Sequence, residues 1–276
     1  MSYGGDMPVS EPVLSDAHAL SRHLTAARIA GAVATPRESN TDHARRFAAG
    51  DPAYEFGLPP RDPWSYPEVV ALLADRVGTD PDPDRETGPD TIDPARTVAA
   101  LDRLRDRVAR SAAGRERVLL ATGHPTGILE IHLGLAAALR AAGCPVLTPA
   151  AGAVFETRRS YAETTTRLRV VHIGGVAVCS DGGALRHSHA PEGMEVMLAA
   201  LAAAGTAPPD LVIADHGFAG AAARHGLDVV CFADSNDPAL FVGEAEGRVA
   251  VTVPLDDNVL PHLYQPIVQH LTAGWS

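Results

Sequence analysis

Short apolar runs alternate with stretches of helical periodicity from Arg117 onward, and this alternation limits the possible folds more than any other feature. The predicted strands are Val118–Ala121, Pro145–Leu147, Arg169–Ile173, Val176–Cys179, Leu211–Ala214, Val229–Ala233 and Val249–Val253, and all but Arg169–Ile173 lack charged residues and histidine. Runs that are apolar at every position are typical of strands buried on both faces, and helices between such strands indicate a parallel sheet. The Gly174-Gly175 pair predicts a hairpin or bulge between two of them. We therefore expect an α/β fold with a mostly parallel, Rossmann-like sheet flanked by helices.

The first part of the chain shows helical periodicity only. A stripe from Leu14 to Ile29 predicts one helix, with Ser15 and Asp16 at its N-cap. Further helices are predicted at Thr41–Ala49, at Tyr66–Val77 and after Pro94. We find no strand pattern here. The sequence therefore predicts a helical N-terminal cap region, residues 1–115, and an α/β Rossmann-like catalytic domain, residues 116–276.

Composition excludes several kinds of chemistry. All 23 basic residues are arginine, so a Schiff-base lysine, a P-loop lysine and a Ser–Lys dyad are absent. The 34 acidic residues give a net charge of −11, which argues against a nucleic-acid partner. The three cysteines are spread singly, which argues against a disulfide framework. We see no signal-peptide pattern and no apolar run long enough for a bilayer, so we expect a cytoplasmic protein without a membrane partner. The oligomeric state stays open.

Polar clusters follow four of the predicted strands. They are Thr122–Gly127, Asp215-His216, Asp234–Asp237 and Asp256–Asn258. The carboxyl ends of parallel strands share one edge of a sheet, where ligands bind. We therefore expect the four clusters to converge in one pocket.

The first cluster is a strand–turn–helix connection. Gly123 and Gly127 let the backbone approach a ligand, and the helix that follows offers free N–H groups to a phosphate or carboxylate. Thr122 and Thr126 are candidate substrate-binding residues. The alternative is an ordinary turn with a capping threonine.

The acidic clusters have the side chains of a hard-cation site. We expect Asp215 and Asp234, helped by Asn236 or Asp237, to bind a divalent metal, Mg²⁺ or Mn²⁺. Carboxylates would repel an anionic substrate unless a cation lay between them. Alternatively, Asp237 caps the helix that begins at Pro238.

Other polar residues are weaker candidates for substrate binding. In an extended segment, His187 and His189 would point to one side as metal ligands or proton donors; the alternative, which either histidine alone would favour, is a polar surface loop. Arg37 could clamp a phosphate from the polar connection that ends at Asn40, a further candidate. A capping loop is the alternative for that connection.

Several of these segments resemble an actinobacterial family labelled "phosphatase", sometimes described as histidinol-phosphatase-like. The resemblance runs from about Ala27 to His262, and its strongest stretches are RIAGAVATPRESN (Arg28–Asn40), DTIDP (Asp90–Pro94), LLATGHPTG (Leu119–Gly127), RHSH (Arg186–His189), LVIADHGFAG (Leu211–Gly220), FADSNDPALF (Phe232–Phe241) and TVPLDDN (Thr252–Asn258). It implies a phosphoric-monoester hydrolase. ATGHPTG is also similar to a stretch of D-glutamate cyclases, and the general plan is similar to metal-dependent damage-control phosphatases.

Three functional hypotheses follow. The first is a metal-assisted phosphatase for a small phosphate ester, with Asp215 at the metal and His216 or His124 as general acid. The second is a metal-free lyase or cyclase for a small carboxylate, with one of those histidines as base. The third is a non-catalytic protein that binds a small ligand.

Overall fold

The computed structural model describes residues 17–158 and 165–274. The helices are α1 (Ala17–Ala26), α2 (Arg37–Ala48), α3 (Tyr66–Arg76), α4 (Pro94–Gly114), α5 (Leu129–Ala141), α6 (Glu192–Ala203), α7 (His216–Arg224), α8 (Pro238–Ala245) and α9 (Gln265–Thr272), with a 3₁₀ turn at Pro261–Tyr264. The strands are β1 (Gly31–Pro36), β2 (Pro89–Ile92), β3 (Val118–Thr122), β4 (Val154–Arg158), β5 (Thr165–Ile173), β6 (Val176–Ser180), β7 (Leu185–Arg186), β8 (Leu211–Asp215), β9 (Val229–Ala233) and β10 (Val251–Pro254).

The large sheet confirms the expected α/β architecture. Its strand order is β10-β9-β8-β3-β6-β5-β4, and the pairs from β10 to β6 are parallel. Strands β3, β8, β9 and β10 are buried at every position, which explains why their sequences are continuously apolar. Strands β5 and β6 pair antiparallel through the predicted turn at Gly174-Gly175.

The prediction of a strand at Pro145–Leu147 is wrong. Only an isolated bridge forms there, between Val146 and Val118. Pro145 and Pro149 flank this bridge, and neither has the backbone N–H that a longer ladder requires.

The N-terminal region contains the predicted helices, but it also contains strands, so the expectation of helix alone is wrong. Strands β1 and β2 form an antiparallel pair. Tertiary contacts hold this pair, because Ala34 N donates to Asp256 Oδ2 and Asp256 N donates to the Ile29 carbonyl. Helix α2 begins at Arg37, four residues before the predicted start. Leu14, Ser15 and Asp16 lie outside the described residues.

One hydrophobic core contains residues from both predicted regions, including Leu104 of α4 and Val253 of β10. Helix α4 packs against β10 and α9. The division of the chain at residue 115 stays a prediction. Among the helices of the described segments, none is long and apolar enough to cross a membrane.

Two features of the sheet determine where a site can form. Strand β3 lies between β6 and β8, because the chain continues from β3 to one side of the sheet and then crosses from β6 and β7 to β8 on the other side; a crevice opens at such a switch point. Strand β7 pairs with the last two residues of β6, on the same edge of β6 that pairs with β3 at the preceding residues. The segment after β7 is therefore carried over the carboxyl end of β3.

Candidate active site

The carboxyl ends of β3, β8, β9 and β10 meet in a cleft of about 510 Å³. Its lining consists of Thr35, Ser39, His43, His124, Thr126, His187, His189, His216, Asp234, Asn236, Asp237, Asp257 and Asn258. The convergence expected from the polar clusters is therefore present. A larger cavity of about 670 Å³ lies near the opposite ends of β9 and β10. Its arginines already bind acidic or carbonyl groups of the protein, as Arg224 does with Glu195, so it offers less chemistry.

His216 lies at the centre of the cleft. It follows β8 directly and has a φ of +44°, a left-handed conformation that a non-glycine residue adopts only at an energetic cost. Its Nε2 lies 3.4 Å from Asp257 Oδ2 and 3.5 Å from Asp237 Oδ2. Burial alone would lower the pKa of His216, but the charges of Asp237, Asp215 and Asp257 outweigh it and raise the pKa to about 10.

Asp215 lies behind His216 and does not line the cleft. Its Oδ1 accepts hydrogen bonds from His216 Nδ1 at 2.8 Å and from Gly123 N at 2.6 Å. Its other oxygen is buried without a hydrogen bond, 3.8 Å from His132 Nε2. Asp215 belongs to none of the possible metal-binding groups found among the described residues. In this position Asp215 can orient the ring of His216. The position does not support the expected role of Asp215 as a metal ligand.

Four imidazoles form the wall on the β3 side. His124 stacks on His187 with ring centres 4.4 Å apart, and His189 stacks on His216 at 4.6 Å. The Nε2 atoms of His187 and His189 are 3.0 Å apart. Burial and the neighbouring imidazoles lower the pKa of His187 to about 4 and hold that of His189 well below 6.5. Both histidines after β7 therefore face the cleft as neutral rings.

His124 differs from these two neutral rings because it faces a carboxylate. Its Nδ1 lies 2.9 Å from Asp257 Oδ1, close enough for an ion pair but without hydrogen-bond alignment. Burial opposes the charge on His124, yet Asp257 outweighs burial and raises the pKa of the imidazole.

Carboxylates from β9 and β10 form the opposite wall. Burial and the charge of Asp257 raise the pKa of Asp234 well above 3.8, and burial raises that of Asp237 to about 6 although His216 opposes the shift. Two possible metal-binding groups share Asp257. They are His216 with Asp237 and Asp257, and Asp234 with Asp256 and Asp257. A third group is His124, His187 and His216.

The predicted metal ligands omitted Asp256 and Asp257. Their signal was visible, since both follow an apolar strand as Asp215 and Asp234 do. Asn236 lines the cleft, and its side-chain amide donates to Ser39 Oγ at 2.9 Å.

The glycine loop differs from an open anion cradle. Three of its N–H groups are already bonded: Gly123 N to Asp215, His124 N to Thr122 Oγ1 at 3.0 Å, and Gly127 N to the His124 carbonyl. The two glycines serve close packing, because a Cβ would lie 2.3 Å from the Ser188 carbonyl oxygen at position 123 and 1.8 Å from that of Asp257 at position 127. Thr126 lines the cleft, whereas Thr122 is buried beneath it.

Arg37 and Asn40 lie outside the cleft lining. The Arg37 guanidinium is buried and binds Asp90 Oδ2 at 3.1 Å and the carbonyls of Asp82 and Arg85. Asn40 Nδ2 donates to the same Asp90 oxygen at 2.9 Å. The expected phosphate clamp is therefore wrong, because burial and three internal partners already satisfy the Arg37 side chain.

The fold and the cleft define a class: an α/β protein with imidazoles and carboxylates gathered at the carboxyl edge of a parallel sheet. Residues 15–274 match the protein family described as Phosphatase. The protein named Phosphatase SCO2771, from Streptomyces coelicolor, is 46% identical over 254 residues, which cover 91% of this chain and 93% of that protein. This chain belongs to the Phosphatase family. No solved structure matches it.

Proposed function

We propose that the cleft hydrolyses a small-molecule phosphate monoester with the help of a bound divalent cation. The observation that carries the proposal is the charge of the lining. Asp234, Asp237 and Asp257 face the cleft, and no arginine is among the described residues that line it. The His216 imidazolium is already paired with Asp215, Asp237 and Asp257, so a phosphate dianion would still be repelled by the carboxylates unless a further cation lay between them. Membership of the Phosphatase family makes phosphate the anion to consider.

The residues of the cleft fit a divalent cation. His216, Asp237 and Asp257 would hold it, since one atom from each lies within 4.8 Å of the others. Carboxylate oxygens favour Mg²⁺ or Mn²⁺, and the imidazole nitrogen is the reason to test other transition ions as well. When bound, the cation would polarise a phosphoryl oxygen and neutralise charge. A ligating His216 must give up its proton, which Asp215 would permit by holding Nδ1–H and leaving Nε2 for the metal.

The remaining imidazoles would handle the substrate. His124 lies at the wall beside Asp257, where it would hold a proton for the leaving oxygen. His187 stacks on the ring of His124 and restricts its orientation.

Two measurements on the purified protein test this proposal. Elemental analysis should find a divalent metal, and phosphate release from p-nitrophenyl phosphate should stop with EDTA and return with Mn²⁺ or Mg²⁺. Asp237→Asn should lose both metal and activity, whereas the matched surface variant Asp75→Asn should retain both, because Asp75 is exposed on α3. Activity that survives complete metal removal would contradict the proposal.

The second hypothesis, a metal-free lyase for a carboxylate, has less support. It needs the glycine loop to bind the carboxylate, and three N–H groups of that loop already have partners within the protein. The EDTA experiment separates the two hypotheses, since the lyase would remain active.

A further inference from the structure

The mouth of the cleft is built from uncharged hydrogen-bonding groups. Thr126 and Asn258 are exposed there, on the loops that follow β3 and β10. Their loops touch, because a Cβ at Gly127 would lie 1.8 Å from the Asp257 carbonyl oxygen and 3.5 Å from Asn258 Cα. A hydroxyl and an amide are therefore held together at the entrance, each able to donate and to accept.

Helix α2 supplies the facing side of the mouth. Ser39 Oγ accepts a hydrogen bond from Asn236 Nδ2 at 2.9 Å, so its own proton is left to donate. His43 Nδ1 lies 2.7 Å from the Asn236 carbonyl oxygen and must donate to it, which makes Nε2 an acceptor. Burial lowers the pKa of His43, so the ring stays neutral at pH 7. This side also pairs a donor with an acceptor.

Other common recognition groups are missing from the described lining. No phenyl, phenol or indole ring lines the cleft; the rings of Tyr54 and Phe56 lie behind His43 and His189 and pack against them. The flat rings that do line the cleft are imidazoles, and they already stack on one another in the pairs His124–His187 and His189–His216, which leaves less ring face for a nucleobase. A second phosphate or a carboxylate on the substrate would find no arginine among the described lining residues to pair with.

We propose that the leaving group of the substrate is an uncharged polyhydroxylated molecule, a sugar or sugar alcohol. Each hydroxyl of such a group can donate one hydrogen bond and accept two, which suits a mouth that offers both donors and acceptors. This inference rests on the proposed function, because it describes the part of the substrate that remains attached to the phosphate.

The test compares three esters with the metal-loaded protein. We expect kcat/KM for sorbitol 6-phosphate to exceed that for adenosine monophosphate and for fructose bisphosphate by about tenfold or more, since a polar site rejects ligands that leave its groups unpaired. p-Nitrophenyl phosphate carries no polyol, so its hydrolysis measures phosphate release without recognition of a polyol. If p-nitrophenyl phosphate is hydrolysed and sorbitol 6-phosphate has no advantage, the polyol inference is overturned and the phosphatase proposal stands. If no ester is hydrolysed, both are overturned.

Variants at the mouth give an independent readout. Asn258→Ala should raise KM for sorbitol 6-phosphate by about threefold to tenfold, the effect of one lost hydrogen bond, and should weaken the hydrolysis of p-nitrophenyl phosphate by a smaller factor. Thr206→Ala is the matched control, because Thr206 is exposed before β8, away from the cleft. An equal loss for both substrates in Asn258→Ala would mean that Asn258 shapes the loop and does not contact the polyol, which would overturn the assignment.

Discussion

Replacement of Arg37 by methionine should destabilise the protein without a direct effect on substrate binding. Arg37 and Asp90 form an ion pair whose side chains are 2% and 1% exposed. Asp90 also accepts hydrogen bonds from Asn40 Nδ2 and from Asp80 N. Arg37 further donates to the carbonyls of Asp82 and Arg85, so one side chain holds the loop that precedes β2 against α2.

The size of the expected destabilisation follows from the charge on Asp90, which Arg37→Met leaves without a partner cation. Methionine fills similar space but leaves the Asp90 carboxylate buried without a cation, a situation that costs about 3–5 kcal/mol of unfolding free energy. For a chain of this size each kcal/mol lowers Tm by roughly 2–4 °C, so a fall on the order of 10 °C is expected. The two unpaired backbone carbonyls add to the loss.

Denaturant unfolding with a double-mutant cycle checks this prediction. Arg37→Met alone should lose the most, and Asp90→Asn added to it should recover part of the loss because the unpaired charge is removed. KM for p-nitrophenyl phosphate should change little at a temperature where both proteins are folded. An unfolding free energy within about 1 kcal/mol of the parent, together with a KM raised about tenfold, would refute the structural reasoning and restore the phosphate clamp.

Three further predictions concern the cleft. Gly127→Ala should reduce metal binding and activity. The new Cβ would lie 1.8 Å from the Asp257 carbonyl oxygen and would displace residue 257, whose side chain is a proposed metal ligand. Gly114→Ala is the control, because the nearest atom to its Cβ is 3.6 Å away. Asp215→Asn should lower activity by about a hundredfold or more, since an amide oxygen no longer supplies the charge that orients His216. In metal-free protein, Tm should fall as pH rises from 7 to about 10. Folding raises the pKa of His216 from 6.5 to about 10, so the charged imidazole stabilises the folded state fully below pH 6.5, and this stabilisation is lost as the pH rises through about 10.

Each of these three has an outcome that would contradict it. Unchanged metal content in Gly127→Ala would show that the loop carrying Asp257 can move without loss of the site. Full activity in Asp215→Asn would mean that His216 does not need the charge of the Asp215 carboxylate. A Tm that stays flat from pH 7 to 10, or one that falls equally in His216→Gln, would show that His216 does not carry the stabilising charge.

The sheet was predictable from the sequence because its strands are buried on both faces and therefore continuously apolar. The carboxyl-edge rule then placed His124, His216, Asp234 and Asp237 in one cleft from positions far apart in the chain. Strands β1 and β2 were not predictable, because their residues carry little strand preference and contacts with Asp256 hold them. The orientation of Arg37 was equally invisible, since its partner lies 53 residues away.

Local pattern determined which elements form and at which edge the polar residues collect, because burial and periodicity act on neighbours in the sequence. Tertiary packing decided what each polar side chain does there. Asp215 and Asp257 both follow strands, yet Asp215 is turned inward to His216 and Gly123, whereas Asp257 faces the cleft. That difference depends on which donors lie within about 3 Å in space, and such distances exist only once the chain has folded.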